Sequence, residues 1–416
     1  MEKFVIQGGN RLYGTACVGG AKNSILPLLA GAILTTDKVV LKNCPDISDI
    51  TNMLEILKVL GVNVIRDGNR IETWGGIKNT EIPAELAKGI RSSIFLLGSI
   101  LATAKRARVA YPGGCDIGIR PIDIHIRGLR ELNIQIDEQS GYLNCVANKI
   151  RGADIQLDKS SVGATENLMM AAVLAEGRTT IRNAAKEPEI IDLSNMLTKM
   201  GARIRGAGSA VIEITGVDNL HGTEHTPIPD RIVAGTLITA VALTGGDVDL
   251  ENVIPEHVAS LTSKLTKSAC NISLFCDRIN ITSNGRHFAQ DFETSPYPAF
   301  PTDMQPQVMV LSTVATGTSL IIENIFETRF KHVPELKRMG ADITVRGDIA
   351  IIRGVTELFG AEVLSTDLRG GAAMVLAGLK ARGETTVGDV YHIDRGYERI
   401  ENMLSSLGAN IKRVKL

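Results

Sequence analysis

The stretch LGVNV at residues 60–64 decides the fold, because variants of it return at regular intervals along the whole chain. The variants are LNIQI at 132–136, MGARI at 200–204, a weaker ACNIS at 269–273, MGADI at 339–343 and LGANI at 407–411. Their aligned positions are 61, 133, 201, 269, 340 and 408, so the intervals run from 68 to 72 residues. Self-similarity at a near-constant period indicates repeated structural units. The sequence therefore predicts six repeats of one supersecondary unit.

Each repeat places the same elements in the same order around this stretch. In the first repeat, an apolar helix over 24–34 precedes a strand at 39–41, and an amphipathic helix beginning near Asp49 ends at Gly61. Alternating strands joined by Asp67-Gly68 then form a hairpin. With a leading strand the repeat is βαβαββ. The remaining apolar helices are predicted at 92–102, 167–175, 236–243, 308–314 and 372–379, and the strands that follow them at 108–110, 179–181, 247–250, 319–322 and 385–387.

The apolar helices carry few polar positions, so we expect them at the centre with the sheets outside. The fold class is α/β (α+β in some schemes), and the six repeats divide most simply into two inside-out α/β barrel lobes of three repeats with a cleft between them. One lobe is predicted to span 1–20 and 230–416, the other 21–229. The last repeat lacks its final strands, and the N-terminal strand at 3–7 is expected to complete it.

Composition excludes several functional classes. There are 45 Lys and Arg against 46 Asp and Glu, and only 4% of residues are aromatic, which disfavours binding to nucleic acid. The apolar stretches, such as 24–34, fall well short of the ~20 residues of a membrane span. The start, MEKFVIQGGN, is typical of a strand and a turn rather than a secretory leader. We therefore expect a cytoplasmic protein without a membrane partner.

The cysteines and histidines do not form a metal-binding pattern. Six cysteines contain no CxxC pair, and seven histidines contain no HxH or HExxH pattern, so no metal site is predicted. Cys115 is the reactive candidate, because it lies in the Gly-rich PGGCDIGIRP close to Arg120, and a nearby cation favours the thiolate. The other five cysteines are interpreted as structural.

Charged or polar residues stand where four of the buried helices begin. These residues are Lys22 with Asn23, Arg91, Asp303 and Arg369. A helix N-terminus attracts anions through its free N–H groups, and an added cation strengthens that attraction. For each cation taken alone, pairing with a carboxylate or exposure to solvent is the better interpretation. The recurrence of charge at one junction favours an anion site facing the cleft.

Two glycine-rich stretches need separate interpretation. GTACVGGAKNS at 14–24 resembles a phosphate-binding P-loop, but Lys22 comes two residues too late, which disfavours a nucleoside triphosphatase.

YPGGCDIGIRPID at 111–123 adds three residues to the strand-to-helix junction of the second repeat. A mobile lid has this composition, and a longer surface loop is the alternative. The Cys and Arg inside the insertion favour the lid.

Taken together, eight segments closely resemble the UDP-N-acetylglucosamine 1-carboxyvinyltransferases, which are enolpyruvyl transferases. The segments are GAKNS, PGGCDIGIRPID, SVGATEN, AAKEPEI, IPDRI, FPTDMQ, TDLRGGA and HIDRGYERI. The resemblance implies paired inside-out barrels of three βαβαββ units each. It also implies transfer of the enolpyruvyl group of phosphoenolpyruvate to the sugar 3′-hydroxyl, with release of phosphate and without metal or organic cofactor. This would be the first committed step of peptidoglycan synthesis.

The same resemblance assigns roles to residues of this chain. Lys22, Cys115, Asp303 and Arg395 would be catalytic, with Cys115 as proton donor to the methylene carbon and Asp303 contacting the sugar hydroxyl and able to take its proton. The residues implied for phosphoenolpyruvate are Lys22, Asn23, Arg120, Arg369 and Arg395. Those implied for the nucleotide sugar are Asn23, Arg91, Arg120, Pro121, Ile122, Asp123, Ile124, Lys159, Ser161, Val162, Gly163, Asp303 and Ile325.

Three alternatives stay open at this point. The sister enzyme that makes 5-enolpyruvylshikimate 3-phosphate shares the fold and donor, although RPIDIHI at 120–126 and the cysteine favour a nucleotide sugar. A non-catalytic paralogue would bind the nucleotide sugar or a partner protein without turnover. A nucleic-acid-processing relative of similar repeat build is the least favoured, given the net charge of −1.

Overall fold

The computed structural model describes residues 2–113, 117–118 and 122–415. Among these residues the chain divides into two compact lobes. Lobe A comprises 20–113 and 122–228, and lobe B comprises 2–19, 117–118 and 229–415. The sequence-based prediction places the boundaries after residues 20 and 229, and the division in the structure falls after residues 19 and 228. The insertion is predicted to belong to lobe A, but Ile117 and Gly118 group with lobe B, where the Ile117 carbonyl accepts a hydrogen bond from the Thr328 amide at 3.3 Å.

The helices and strands follow the predicted order with small differences at their ends. The described α-helices are α1 Lys22–Ala32, α2 Ser48–Val59, α3 Ala84–Gly89, α4 Leu96–Ala104, α5 Asp123–Glu131, α6 Val162–Ala172, α7 Pro188–Lys199, α8 Arg231–Thr244, α9 Ala259–Lys267, α10 Gln305–Thr313, α11 Val333–Arg338, α12 Leu368–Lys380 and α13 Ile400–Ser406. Short 3₁₀ helices span Arg91–Phe95, Pro255–Val258, Thr302–Met304 and Val390–Arg395.

The described strands are β1 Glu2–Gln7, β2 Leu12–Cys17, β3 Val39–Leu41, β4 Asn63–Asp67, β5 Arg70–Trp74, β6 Glu81–Ile82, β7 Arg106–Ala110, β8 Gln135–Gln139, β9 Tyr142–Val146, β10 Asp154–Gln156, β11 Arg178–Arg182, β12 Arg203–Arg205, β13 Val211–Thr215, β14 Thr223–His225, β15 Gly246–Glu251, β16 Asn271–Leu274, β17 Arg278–Ser283, β18 Phe292–Glu293, β19 Thr318–Ile322, β20 Asp342–Arg346, β21 Ile349–Arg353, β22 Glu362–Leu364, β23 Glu384–Gly388 and β24 Asn410–Lys415. They form six four-stranded sheets.

Every sheet has the same internal pattern, which confirms the βαβαββ repeat. In the third repeat the order is β10-β11-β13-β12, with Asp154 opposite Thr180 in the parallel pair and Arg182 opposite Val211 in the antiparallel one. Strand residues alternate between buried and exposed, as expected for a sheet with one face on a core. The six predicted apolar helices are α1, α4, α6, α8, α10 and α12, and all are buried.

The chain ends complete sheets that belong to distant repeats. Strand β1 lies between β23 and β24, which confirms that the N-terminal strand completes the last repeat. The prediction that this repeat lacks both final strands is wrong, because β24 is its own and only one strand is supplied from the N-terminus. Strand β2 pairs with β15 as the leading strand of the fourth repeat, and β14 pairs with β3 as the leading strand of the first.

The recurring stretch ends a helix with a left-handed residue in every repeat. The φ angles at the aligned positions are 88° at Gly61, 65° at Asn133, 104° at Gly201, 74° at Ala269, 95° at Gly340 and 100° at Gly408. This conformation closes a helix and suits glycine, since a Cβ is strained there. Ala269, the weakest match in the sequence, therefore keeps the backbone geometry of the other five repeats.

The central helices of each lobe pack directly against one another. In lobe B, α8, α10 and α12 contact each other, and in lobe A, α4 contacts both α1 and α6. At the α4–α6 contact, a Cβ added to Gly98 would lie 2.2 Å from the Asn167 carbonyl oxygen, so only glycine permits this approach. Each fully buried Leu or Ile on these helices contributes about 1.5–3 kcal/mol. None of the helices in the described part of the chain has both the length and the apolar character needed to cross a bilayer.

Candidate active site

Lys22 opens helix α1 of lobe A and forms a buried ion pair. Its Nζ lies 2.6 Å from Oδ2 of Asp49, and both side chains are less than 10% exposed. Asp49 is in the first turn of α2, where a carboxylate is favourable. Breaking such a buried pair by removing one partner is costly, because the remaining charge stays out of water. The ammonium of Lys22 is therefore held at a fixed place at the start of α1.

A second network fixes the same turn of α1. The Ser24 hydroxyl donates to Asp192, whose carboxylate also contacts Nε2 of His225 at 2.7 Å and accepts from the Ile228 amide at 3.1 Å. Asp192 is buried on α7, so these contacts connect helix α7 with the end of the lobe A chain. The network holds the turn that carries Lys22 and the half-buried Asn23. Sequence reasoning missed Asp192, which is 168 residues from Ser24.

The start of α6 is a capped helix N-terminus. Ser161 caps it, and its Oγ accepts from the Ala164 amide at 3.4 Å. A Cβ on Gly163 would lie 2.8 Å from the Phe95 ring and 3.3 Å from the His125 ring. Side chains of α5 and of the 3₁₀ helix Arg91–Phe95 therefore pack against this turn. Lys159, just before it, is exposed. The free N–H groups of such a turn attract an anion.

Helix α5 carries the described part of the stretch that the resemblance assigns to uridine. Ile122 is buried, Asp123 is exposed and pairs with Arg127 at 2.5 Å, and Ile124 is half-buried. One face of α5 is fixed by His125, whose Nδ1 lies 3.0 Å from the Asn167 side-chain amide. Arg120 and Pro121 lie outside the described residues.

Three glutamates lie together in the core of lobe A, and sequence reasoning did not identify them as a group. Glu166 on α6 is fully buried, and neither of its carboxylate oxygens has a hydrogen-bond partner among the described residues. Burial, followed by the charges of Glu189 and Glu187, raises the pKa of Glu166 well above its ordinary value. Burial and the neighbouring carboxylates therefore favour the protonated form of Glu166.

Asp303 of lobe B lies between two arginines. It belongs to the 3₁₀ turn before α10, and its side chain is 27% exposed. Oδ1 accepts from Arg329 at 2.9 Å, while Oδ2 accepts from Nε and Nη2 of Arg369 at 3.2 and 2.9 Å. Burial alone would raise the pKa of Asp303, but the charges of Arg369 and Arg329 outweigh it and hold the pKa far below its ordinary value. The carboxylate is consequently a weak base in this arrangement.

Both arginines are fixed by the elements around them. Arg369 is in the first turn of α12, where Asp367 caps the helix by accepting from the amides of Arg369 at 3.0 Å and Gly370 at 3.1 Å. Arg329 is 2% exposed and also donates to the Thr302 carbonyl at 3.1 Å. The next turn carries His332, and burial lowers its pKa to about 4. The histidine is thus neutral at pH 7, and the arginines supply the positive charge.

Glu323 connects the loop that carries Ile325 to the turn that carries Asp303. Its Oε1 accepts from the amides of Ile325 at 3.0 Å and Phe326 at 3.1 Å, and its Oε2 accepts from the Thr302 hydroxyl at 3.0 Å. Glu323 is 3% exposed. The two predicted site residues of this region therefore have a common support.

The remaining predicted residues divide between the two lobes. Arg91 begins the 3₁₀ helix Arg91–Phe95 of lobe A, which packs against α1. Arg395 ends the 3₁₀ helix that packs against α12 of lobe B. The structure thus brings Asp303 and Arg369 into direct contact and confirms charged residues at the starts of α1 and α12. Cys115 lies outside the described residues, like Arg120.

The other cysteines differ in exposure. Burial raises the pKa values of Cys44 and Cys145 to about 12, and Cys270 is also buried. Cys17 and Cys276 are exposed. Within residues 2–113, 117–118 and 122–415, no group of three or more His, Cys, Asp or Glu side chains is arranged to hold a metal ion.

Comparison with known proteins gives close relatives over the full length. Residues 6–404 match the family model described as EPSP synthase (3-phosphoshikimate 1-carboxyvinyltransferase). The chain is 52% identical over 416 residues to UDP-N-acetylglucosamine 1-carboxyvinyltransferase 2 of Caldanaerobacter subterraneus subsp. tengcongensis, with 100% of both chains covered. It is 47% identical over 419 residues to UDP-N-acetylglucosamine 1-carboxyvinyltransferase of Myxococcus xanthus, again with 100% of both covered.

Solved structures share the whole fold at lower identity. The enolpyruvyl transferase NikO from Streptomyces tendae superposes with a TM-score of 0.90 at 24% identity, covering 100% of this chain and 99% of that one. An EPSP synthase from Acinetobacter baumannii gives a TM-score of 0.75 at 19% identity, with both chains covered completely. These likenesses confirm the two-lobe α/β architecture that the repeat predicts.

Proposed function

The chain belongs to the UDP-N-acetylglucosamine 1-carboxyvinyltransferase family of enolpyruvyl transferases, and we propose that it transfers the enolpyruvyl group of phosphoenolpyruvate to the 3′-hydroxyl of UDP-N-acetylglucosamine. The observation that carries the proposal is 52% identity over the whole chain to a relative named for that reaction. The reaction is the first committed step of peptidoglycan synthesis. We place it in the cytoplasm, on two small-molecule substrates, without nucleic acid or membrane as a partner.

The proposed reaction balances in two steps and needs no cofactor. The 3′-oxygen bonds to C2 of phosphoenolpyruvate and loses its proton, while C3 gains a proton and becomes a methyl group. The tetrahedral adduct then loses a proton from C3, the C2–O bond to phosphate breaks, and the double bond returns. The products are enolpyruvyl-UDP-N-acetylglucosamine and inorganic phosphate. Cys115 is our proposed proton donor to C3.

The donor substrate carries a carboxylate and a phosphate, so it requires several cations. We assign Lys22, Asn23, Arg120, Arg369 and Arg395 to its binding. At an effective dielectric near 20, two unit charges about 4 Å apart attract by about 4 kcal/mol. The fixed position of Lys22 against Asp49 and of Arg369 against Asp303 supports this role, because neither cation has to be ordered when the substrate arrives.

The nucleotide sugar is assigned to residues near the starts of α1, α5 and α6. The set is Asn23, Arg91, Arg120, Pro121, Ile122, Asp123, Ile124, Lys159, Ser161, Val162 and Gly163, with Asp303 and Ile325 from lobe B. The capped N-terminus of α6 suits the diphosphate because its N–H groups are donors. The resemblance assigns the uridine to 120–124 and the sugar to Asn23 and Arg91.

Asp303 is assigned to the sugar 3′-hydroxyl as a hydrogen-bond acceptor that orients it. Its depressed pKa argues against a role as the main base, because Arg369 and Arg329 stabilise the anion. A phosphate monoester has a second pKa near 6, so the substrate phosphate is the stronger base of the two. Asp303 would take the proton only if one arginine moved away from it.

A phosphate-release assay tests the proposal. The full chain is incubated with phosphoenolpyruvate and either UDP-N-acetylglucosamine or shikimate 3-phosphate, and inorganic phosphate is measured. We expect release with the nucleotide sugar alone, and loss of release after treatment with fosfomycin, an epoxide that alkylates thiols. Release with shikimate 3-phosphate would assign the sister reaction, which the description of the matched family model keeps as the alternative. Binding of the nucleotide sugar without release would indicate a non-catalytic paralogue.

A further inference from the structure

Arg413, near the end of β24, is the centre of an ion cluster in lobe B. Its Nη1 and Nη2 donate to the two carboxylate oxygens of Asp394 at 2.9 and 2.6 Å. Nε donates to Glu401 at 2.8 Å, and Nη1 also donates to Glu2 at 2.9 Å. The guanidinium lies 4.8 Å from the centre of the Phe4 ring, and the side chain is only 16% exposed. A bidentate contact of this kind has a fixed geometry.

The cluster fixes both ends of one short segment. Asp394 is the residue before Arg395 in the 3₁₀ helix Val390–Arg395, and Glu401 is in the first turn of α13. Contacts to the same guanidinium therefore hold residues 394 and 401. Two non-glycine residues here are in the left-handed region: Asp389, just before the 3₁₀ helix, with φ of 52°, and Arg399, within the segment, with φ of 44°. Each such residue costs roughly 1–3 kcal/mol and persists only where surrounding contacts enforce it.

The other side of the segment is fixed by Tyr397. This side chain is 3% exposed, and its hydroxyl lies 2.9 Å from the Thr236 hydroxyl and 3.2 Å from Nε2 of Gln307. Its ring centre lies 5.5 Å from the guanidinium of Arg369. The segment thus connects Arg395 to the surroundings of Arg369, with Arg413 on one side and the core of lobe B on the other.

We propose that Arg413 is a positioning residue for donor-substrate binding, because its bidentate contact with Asp394 sets the place of Arg395. The inference rests on the proposed function, in which Arg395 binds phosphoenolpyruvate. Removal of the guanidinium would leave Glu2, Asp394 and Glu401 as three carboxylates without their shared cation. Their mutual repulsion would displace Asp394, and Arg395 moves with it, since the two residues are adjacent in the chain.

The test compares three variants with a matched control. Arg413→Met removes the charge and keeps a long side chain over Phe4, Arg413→Lys keeps a charge without the bidentate geometry, and Asp394→Asn removes the carboxylate. The control is Arg353→Met, on an exposed arginine of β21 that pairs with Asp342 at 3.4 Å. Steady-state rates are measured against each substrate, and circular dichroism confirms that each variant is folded at the assay temperature.

We expect Arg413→Met to raise the KM for phosphoenolpyruvate about tenfold, with a much smaller change in the KM for the nucleotide sugar. Arg413→Lys and Asp394→Asn should give intermediate values, and Arg353→Met should match the wild type. If Arg413→Met does not fold, the other two variants carry the test. An unchanged KM for phosphoenolpyruvate in folded variants, or an equal rise for both substrates, overturns the inference. A wild-type chain that releases no phosphate with either acceptor instead removes the proposed function, and this inference with it.

Discussion

Glu166 allows a sharp test of the electrostatics of lobe A. The perturbation is Glu166→Gln, which keeps the shape of the side chain and removes its ability to ionise. Glu166 is fully buried without a hydrogen-bond partner among the described residues, and burial together with Glu189 and Glu187 raises its pKa well above the ordinary 4.5. The folded state therefore keeps a proton that the unfolded state releases above about pH 4.5.

The sign and size of the effect follow from linkage. Because the folded pKa is raised, the favourable contribution of Glu166 is complete below pH 4.5 and is lost as the pH rises towards the folded pKa. One proton corresponds to about 1.4 kcal/mol of unfolding free energy per pH unit. Above pH 4.5 and below the folded pKa, the unfolding free energy of the wild type should thus fall with rising pH relative to that of Glu166→Gln. The stability of the variant relative to the wild type therefore increases as the pH rises.

Trp74 makes the measurement specific to lobe A. It is the single tryptophan of the chain and lies on β5, so its fluorescence during urea unfolding reports on the lobe that contains Glu166. The control is Glu176→Gln, because Glu176 is exposed and pairs with Lys149, which lowers its pKa. That change should be small and of opposite sign. A difference between Glu166→Gln and wild type that stays constant from pH 5 to pH 8 would refute a raised pKa for Glu166.

Four further predictions follow from the geometry. Lys22→Ala should raise the KM for phosphoenolpyruvate by about 10–100-fold, the loss of one charged contact; an unchanged KM in the phosphate-release assay would contradict its assignment. Cys115→Ala should abolish phosphate release while circular dichroism stays native, and a wild-type rate would remove the thiol from the mechanism. Arg329→Lys should raise the pKa of Asp303, because lysine cannot reproduce the planar guanidinium contact; an Asp303 carboxyl whose titration, followed by NMR, is unchanged in the variant would show that Arg329 does not control this carboxylate. Ala269→Gly should raise the free energy of unfolding by up to about 1 kcal/mol, because φ is 74° there, and a lower urea midpoint would show that this position is not strained.

The repeat predicted most of the fold because it reflects a local constraint. A left-handed residue must close each helix of this kind, and glycine meets that need in four of the six repeats. The match at Ala269 was weak because alanine adopts the left-handed geometry there, and the glycine that marks this position in four other repeats is absent. The place of β1 in the last sheet was predicted from the incomplete repeat, but the strand β24 and its pairing with β1 were not. No local pattern specifies a contact of that separation.

The sequence predicted where the charged residues of the candidate site lie, but not which side chains they contact. The starts of α1 and α12 were identified from Lys22 and Arg369, and both cations form the carboxylate pairs that the sequence left open as an alternative. The pairing of Lys22 with Asp49 and of Arg369 with Asp303 depends on how separate helices pack, which the sequence pattern does not specify. Arg329 was missed because it lies outside the repeated junctions, in a turn whose composition resembles any polar loop.

These pairs explain how the lobes keep charged groups in place without a loss of stability. A buried cation alone costs several kcal/mol, whereas an excellent contact with a carboxylate offsets most of that cost. In lobe A Lys22 pairs with one carboxylate, whereas in lobe B Asp303 accepts hydrogen bonds from two guanidinium groups. These contacts already order both arginines, so an anionic substrate would not have to order them. The two guanidinium groups also make Asp303 a poor proton acceptor, because they stabilise its anion.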